Sequence, residues 1–462
     1  MKFAKIFALP GLFLLVMLFG CKEKNEEWIS LFNGKDLTGW KSSEDPTSFY
    51  VEDGLIIANG ARSHLFYSGD GGEVEFKNFE LSVDIMTTHH ANSGVYIHTK
   101  WQDEGWPSFG YEAQINNSHI GEGDYIELKK TGSLYGIRNV YKAFAKDSVW
   151  FTMKVRVDGH QIKIWVDDML TVDYVEPQNP HRREGSTGGR LSSGTIALQC
   201  HDPGSKVFFK NIRLKKLPDI SSSEREIPED NYPKVLDLQF QNFPLIDMVV
   251  ETDGNFNADS ALNVFYQSGI NWGFVVDLSE ADSSIVDQLL TSHIQSYQDY
   301  PVFIGAKISG PVSNTTFSRA EKLDYVIGEV MIDSISKYND MEKYTDDLVK
   351  DRIDLILNTG IDIISNATLL PEELSSQSED LWTSDRMMKI IEACKANEVA
   401  IEINNELKSP GFTFIKLAKE YGCQFVCGKI SNKNGRAEMD YFYEMIEKAE
   451  LNYKDIFIPG YE

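Results

Sequence analysis

Near Pro218 the chain changes the period of its hydrophobic pattern, and two periods in one chain call for two folds. Up to that point short runs such as "FELSVDIM", "FTMKVRVDG" and "KVFFKNIRLKKL" alternate apolar and polar residues between Gly, Asn and Asp. This is the period of strands with one face buried and one wet, and it predicts two packed antiparallel sheets. Beyond it, apolar strand candidates begin at Leu245, Trp272, Val302, Tyr325, Asp362, Val399 and Gln424, with amphipathic segments such as "YTDDLVKDRIDLILNTG" between several of them. Seven such units predict a parallel (β/α)7 barrel, weakened only by the short third connection around "FSRAEKL". A length of 462 residues suits two domains, because single cores stop growing near ~250–300 residues.

The expected organisation is therefore a leader at 1–21, an all-β sandwich at 28–218, a polar linker at 219–233 and the barrel at 234–462. The leader "MKFAKIFALPGLFLLVMLFGC" has early lysines, a short apolar core and a Gly20–Cys21 end, the layout of a secretory signal. The "LFGC" ending resembles a bacterial lipobox, which implies lipidation at Cys21 and a cell-envelope protein anchored to the outer membrane. The other cysteines, Cys200, Cys394, Cys423 and Cys427, form no CxxC pair and read as buried thiols. The net charge of −25 falls almost wholly after Pro218 and repels phosphate backbones, so nucleic acid is not an expected partner.

Eight segments in the first half carry a resemblance. "WISLFNGKDLTGWK", "VEDGLIIANG", "KNFELSVDI", "NSGVYIH", "GYEAQI", "TGSLYG", "GTIALQCHD" and "VFFKNIRLKKL" together resemble the 3-keto-disaccharide hydrolase domain, a family with a concanavalin-like sandwich. The resemblance implies a modified disaccharide or glycoside as partner. A ketone at C3 acidifies the C2 proton, so such a site needs a base and a group that polarises the ketone oxygen.

Strand spacing nominates two pairs of residues, and the resemblance implies the rest. Glu112 and Gln114 are two apart, as are Gln199 and His201, so each pair projects from one sheet face. His201 or Glu112 is the candidate base, and Asn92 and Gln114 are the candidate donors to the ketone. Tyr111, Tyr135, Trp101 and Trp106 are candidate ring platforms, and His98, Asn117 and Gln199 complete the expected binding set. The chain departs from the family pattern at His98, Asn117 and Cys200, where the pattern carries Arg, Asp and Asp. The alternative is a carbohydrate-binding or assembly protein without catalysis.

The second half resembles the polymerase-and-histidinol-phosphatase type of barrel over roughly residues 243–458, through "FPLIDMVVETDG", "TLLPEEL" and the run from "LWTSDRMMK" to "FVCGK". In that family two His ligands end the first strand, where this chain has Val249 and Glu251. Eight of the nine His precede residue 219, and the ninth, His293, sits in a helical pattern. No imidazole metal centre is expected, and no cofactor is firmly implied. A divalent cation on Glu251, Asp253, Asp277 and Glu402, serving a phosphoesterase, is the weaker alternative, with Lys429 opposing it.

Overall fold

A computed structural model describes residues 27–461 apart from 70, 72–73, 222, 224–225, 229–231, 253–256, 282–283, 310–322, 333–334 and 434–435. The leader with Cys21, Asp253 and most of "FSRAEKL" lie outside the described residues.

Two antiparallel sheets form the first domain. The larger runs in the order Met169–Val175, Gln161–Val166, Phe151–Asp158, Phe79–Thr87, Val207–Lys216, Leu55–Ala58 and Phe49–Glu52, with Ile29–Ser30 added beside Val207–Lys216. The smaller runs Trp40–Ser42, Ser63–Tyr67, Thr195–Cys200, Asn92–Thr99 and Tyr111–Asn116. Strand Phe79–Thr87 shows the expected alternation: Phe79, Leu81, Val83 and Ile85 are buried in the sandwich core, while Glu80 and Asp84 are only half-buried. Each such apolar side chain contributes roughly 1.5–3 kcal/mol on full burial, so a one-residue register slip would forfeit the whole face.

Seven parallel strands close a barrel, Ile246–Glu251, Asn271–Asp277, Phe303–Ser309, Tyr325–Glu329, Ile363–Ser365, Ala400–Asn404 and Phe425–Gly428. Pairing of Asp247 with Cys427 joins last to first. Alternate residues face two cores: Ile304, Ala306 and Ile308 pack under the helices, whereas Phe303, Tyr325 and Ile327 fill the barrel. His293 lies in the helix Val286–Tyr297 and is buried, its Nε2 3.0 Å from the Phe274 carbonyl and its Nδ1 3.3 Å from Thr252 Oγ1, a structural imidazole.

The two domains share packing. Leu128 and Tyr141 of the sandwich belong to the same apolar cluster as the barrel interior, and Tyr141 Oη donates to the Phe243 carbonyl at 3.1 Å. Helix α1 (Pro233–Phe240) straddles the boundary, with Val235 in the barrel core and Leu236 in the sandwich core. Proline at its first turn supplies a preset φ, and a short connection, 241–245, leads from its end to the first barrel strand.

Candidate active site

The smaller sheet positions the site. Tyr111–Asn116 and Thr195–Cys200 flank Asn92–Thr99, with Glu112 opposite Tyr96 and Gln114 opposite Gly94. Gly94 leaves room for the Glu112 side chain, which a Cβ there would press on and displace. Above this sheet opens a cavity of about 430 Å³, within the roughly 300–1,000 Å³ of small-molecule sites.

Seven of the nine nominated catalytic and binding residues line that cavity: Glu112, His201, Asn92, Tyr111, Gln114, Tyr135 and Gln199. The other two do not. His98 is buried beneath the sheet, with Nε2 2.8 Å from the Lys77 carbonyl, Nδ1 accepting from the Ser192 amide at 3.2 Å and its ring edge-on to Phe79. Burial pushes its imidazole down to about 4, so it is a neutral structural group. Asn117 donates to Thr87 Oγ1 at 2.9 Å and accepts from Thr131 Oγ1 at 2.6 Å, pinning loops. Both positions were nominated through the family resemblance, which carries no record of what closes over them in this chain. Of the aromatic platforms, Trp106 lines the cavity, whereas Trp101 packs on Phe66 beside a separate groove.

Glu112 accepts from Tyr96 Oη at 2.8 Å and from Gln199 Nε2 at 2.9 Å. Burial raises its carboxyl to about 7 in spite of these bonds, so both protonation states are populated near neutrality. Gln199 Oε1 is buried with no hydrogen-bond partner among the described residues. Gln114 Nε2 donates to Asn92 Oδ1 at 3.1 Å and fixes the Asn92 amide.

His201 pairs through Nδ1 with Asp202 Oδ2 at 2.7 Å. Burial works against Asp202 ionisation, but bonds from Ser205, His201 and the Gly204 amide outweigh it and hold the carboxyl below its usual value. Trp106 lies 5.2 Å from the His201 ring, and buried His64 sits edge-on to Trp106 at 5.6 Å. Burial pushes His64 down to about 4, which makes it a neutral packing group behind that tryptophan.

Several lining residues escaped the sequence reading. Tyr96 and Arg182 come from the sandwich, and Arg182 reaches Tyr111 Oη and Glu176. Glu127 takes Tyr135 Oη at 3.2 Å and pairs with buried Lys129 at 3.3 Å. Asp202 does not line the cavity but orients His201; its signal was adjacency in "QCHD". Phe240 comes from α1, outside the sandwich sequence, so no pattern in residues 28–218 could have nominated it.

At the barrel mouth, strand ends bring Glu251, Asp277 and Glu329 together around Lys307 Nζ, at 2.7, 2.7 and 3.2 Å. Lys429 adds a second ammonium 3.0 Å from Glu251. Glu402 is fully buried and takes the Ser365 hydroxyl. The nominated carboxylates Glu251 and Asp277 thus neutralise lysine and do not fit a cation between them. Among the described residues no three His, Cys, Asp or Glu are arranged to hold a metal ion. Sequence reading found Lys429 but missed Lys307.

Residues 27–215 match the family described as the 3-keto-alpha-glucoside-1,2-lyase-like domain. A protein of Bacteroides thetaiotaomicron named 3-keto-disaccharide hydrolase is 26% identical over 232 residues, covering 41% of this chain and 78% of that relative. A Parabacteroides distasonis protein whose crystal structure was described as that of a candidate glycosyl hydrolase is 24% identical, with 41% of this chain and 94% of that one covered and a TM-score of 0.37. The Bacillus subtilis carbohydrate-binding module CBM66 is 15% identical, with 39% and 96% covered and a TM-score of 0.27.

Proposed function

We propose that the sandwich, whose residues 27–215 carry the 3-keto-alpha-glucoside-1,2-lyase-like domain, cleaves 3-keto-glycosides by removing the C2 proton and expelling the C1 substituent. The observation that carries this reading is the His201–Asp202 pair at the edge of a cavity shared with Glu112. Asp202 accepts the Nδ1 proton, which leaves Nε2 as the basic nitrogen, the tautomer a general base needs.

Nε2 takes the C2 proton, and the electrons of that bond move into an enolate whose charge rests on the C3 oxygen. The Asn92 amide, oriented by Gln114, donates to that oxygen. Collapse of the enolate forms the C1–C2 double bond and breaks the bond from C1 to the leaving oxygen, which takes its proton from Glu112. Addition of water across the double bond then completes a net hydrolysis. The unpartnered Gln199 Oε1 suits a sugar hydroxyl, and Trp106 offers a ring face. The leader supports a place for this chemistry at the outer membrane, tethered through lipid on Cys21, on the sequence alone.

Incubation of the purified protein with 3-keto-glucosides tests the proposal by aglycone release. Solvent deuterium should enter at C2 ahead of release. A protein that binds these sugars and leaves them intact from pH 5 to 9 is a binding module, and the enzyme reading falls.

A further inference from the structure

The matched sandwich ends at residue 215, yet its cavity is not closed by the sandwich alone. Phe240, the last residue of α1, lines it from the second domain. The residue is 37% exposed. Single exposed apolar side chains are ordinary on a surface, but this one stands in a concave site and is fixed there by several independent contacts.

Gly136, at φ +70°, brings the sandwich backbone against the ring, and a Cβ on it would lie 3.1 Å from Phe240 Cδ2. The Arg183 guanidinium lies 4.9 Å from the ring centroid. The helix itself is clamped: His181 Nε2 is 2.9 Å from Asp237 Oδ1, Asn139 Nδ2 donates to the Gln239 carbonyl at 3.0 Å, and Leu236 is buried in the sandwich core. Such anchoring on both sides holds a ring at a defined place without loop ordering on binding. Ile137, next to Gly136, lines the same end of the cavity, so Phe240 extends a carbon-only patch on a wall otherwise rich in polar groups.

We infer that Phe240 is a specificity-determining residue supplied by the second domain, an apolar wall for the second ring of a two-ring substrate. This rests on the proposed cleavage of 3-keto-glycosides and names its preferred class: glycosides whose C1 substituent is itself a ring, either a pyranose or an aromatic aglycone. Both present flat carbon-bearing faces to a phenyl ring. The barrel then acts in the reaction by holding α1, with no chemistry of its own in that step.

The test compares methyl 3-keto-α-glucoside, a 3-keto-glucosyl-glucose disaccharide and 4-nitrophenyl 3-keto-α-glucoside in the full chain. Phe240→Ala should raise KM about tenfold for at least one two-ring substrate, with kcat within about twofold. Both constants should stay within about twofold for the methyl glycoside. Phe240→Tyr should restore the wild-type pattern, and Phe240→Leu, apolar but not flat, should restore it only in part. The disaccharide and nitrophenyl arms tell a sugar ring from an aromatic one. Equal losses on all three substrates mark a purely structural residue, and no change on any also overturns the inference. Calorimetric binding of the same compounds separates this from the cleavage reading: if wild type turns over none but Phe240→Ala still loses affinity for two-ring ligands alone, only the cleavage proposal fails. If wild type binds none, both fail.

Discussion

His201 offers Nδ1 to Asp202 Oδ2 at 2.7 Å, and Asp202 is itself held by Ser205 Oγ at 2.7 Å and the Gly204 amide at 2.7 Å. The imidazole is therefore fixed in orientation and tautomer by a residue outside the cavity lining. Asp202→Asn can turn an N–H toward Nδ1 and drive the proton to Nε2, which disables the base. Turnover should fall on the order of 10³-fold with KM little changed, as expected of a residue acting through its histidine. A variant with wild-type kcat would remove His201 from the role of base.

Glu112 should impose the alkaline limb of the pH profile. Its carboxyl, raised by burial to about 7, must be protonated to serve the leaving group, so kcat should drop as pH rises through about 7. Glu112→Gln should lower kcat roughly 100-fold for substrates with poor leaving groups and abolish that limb. If the limb persists in the variant, another group sets it.

The same shift acts on stability, and its sign is fixed. The folded chain holds the Glu112 proton up to about pH 7, whereas the unfolded chain releases it near the ordinary glutamate value of 4.5, so stability declines as pH rises between them. Glu112→Gln should be more stable than wild type at pH 8, on the order of 1–2 kcal/mol because the side chain is partly open to the cavity. Near pH 4 the two should unfold alike. Denaturant midpoints at both values decide it.

The proposed lipidation at Cys21 rests on the leader sequence and is tested independently of the fold. Cys21→Ser should yield a soluble or unprocessed chain, read by membrane fractionation and intact mass. A variant that retains the lipid mass would place the anchor elsewhere.

Both folds were legible because each is written in a hydrophobic period: every barrel strand begins within two residues of its expected start, and Glu112, Gln114 and Gln199 met in one cavity through spacing of two. What period cannot carry is depth and long-range company. His98 and Asn117 sit in the same strand-rich context as the cavity residues but are sealed by Lys77, Ser192 and Thr87, contacts many residues away. Phe240 reaches the cavity across a domain boundary. Lys307 was invisible for a related reason: "FIGAKIS" reads as a buried strand, and only closure of the barrel delivers three carboxylates from three other strands to its tip.

That cluster gives the last prediction. Lys307 is 10% exposed and ties together Glu251, Asp277 and Glu329. Burial alone would raise Glu251 and Asp277, but bonds to Lys307 override it and hold both below the usual carboxylate range. Lys307→Met keeps the stem's packing and removes the charge, leaving the carboxylates to repel one another. Their partial exposure screens the loss, so the barrel should weaken by about 1–3 kcal/mol at pH 7 rather than the larger cost of a fully buried pair. The native contribution is complete above the unfolded carboxylate values, 4.5 for Glu251 and 3.8 for Asp277, and is lost as pH falls through the lowered folded values. The difference between variant and wild type should therefore shrink below about pH 4. With Lys429→Met added, the three oxygen-donor groups are left without either ammonium and suit a hard cation, so Mg²⁺ or Ca²⁺ should raise the melting temperature of the double variant and leave the wild type unmoved. Equal denaturant midpoints at pH 7, or a cation response in the wild type, would show that Lys307 is not what balances the barrel mouth.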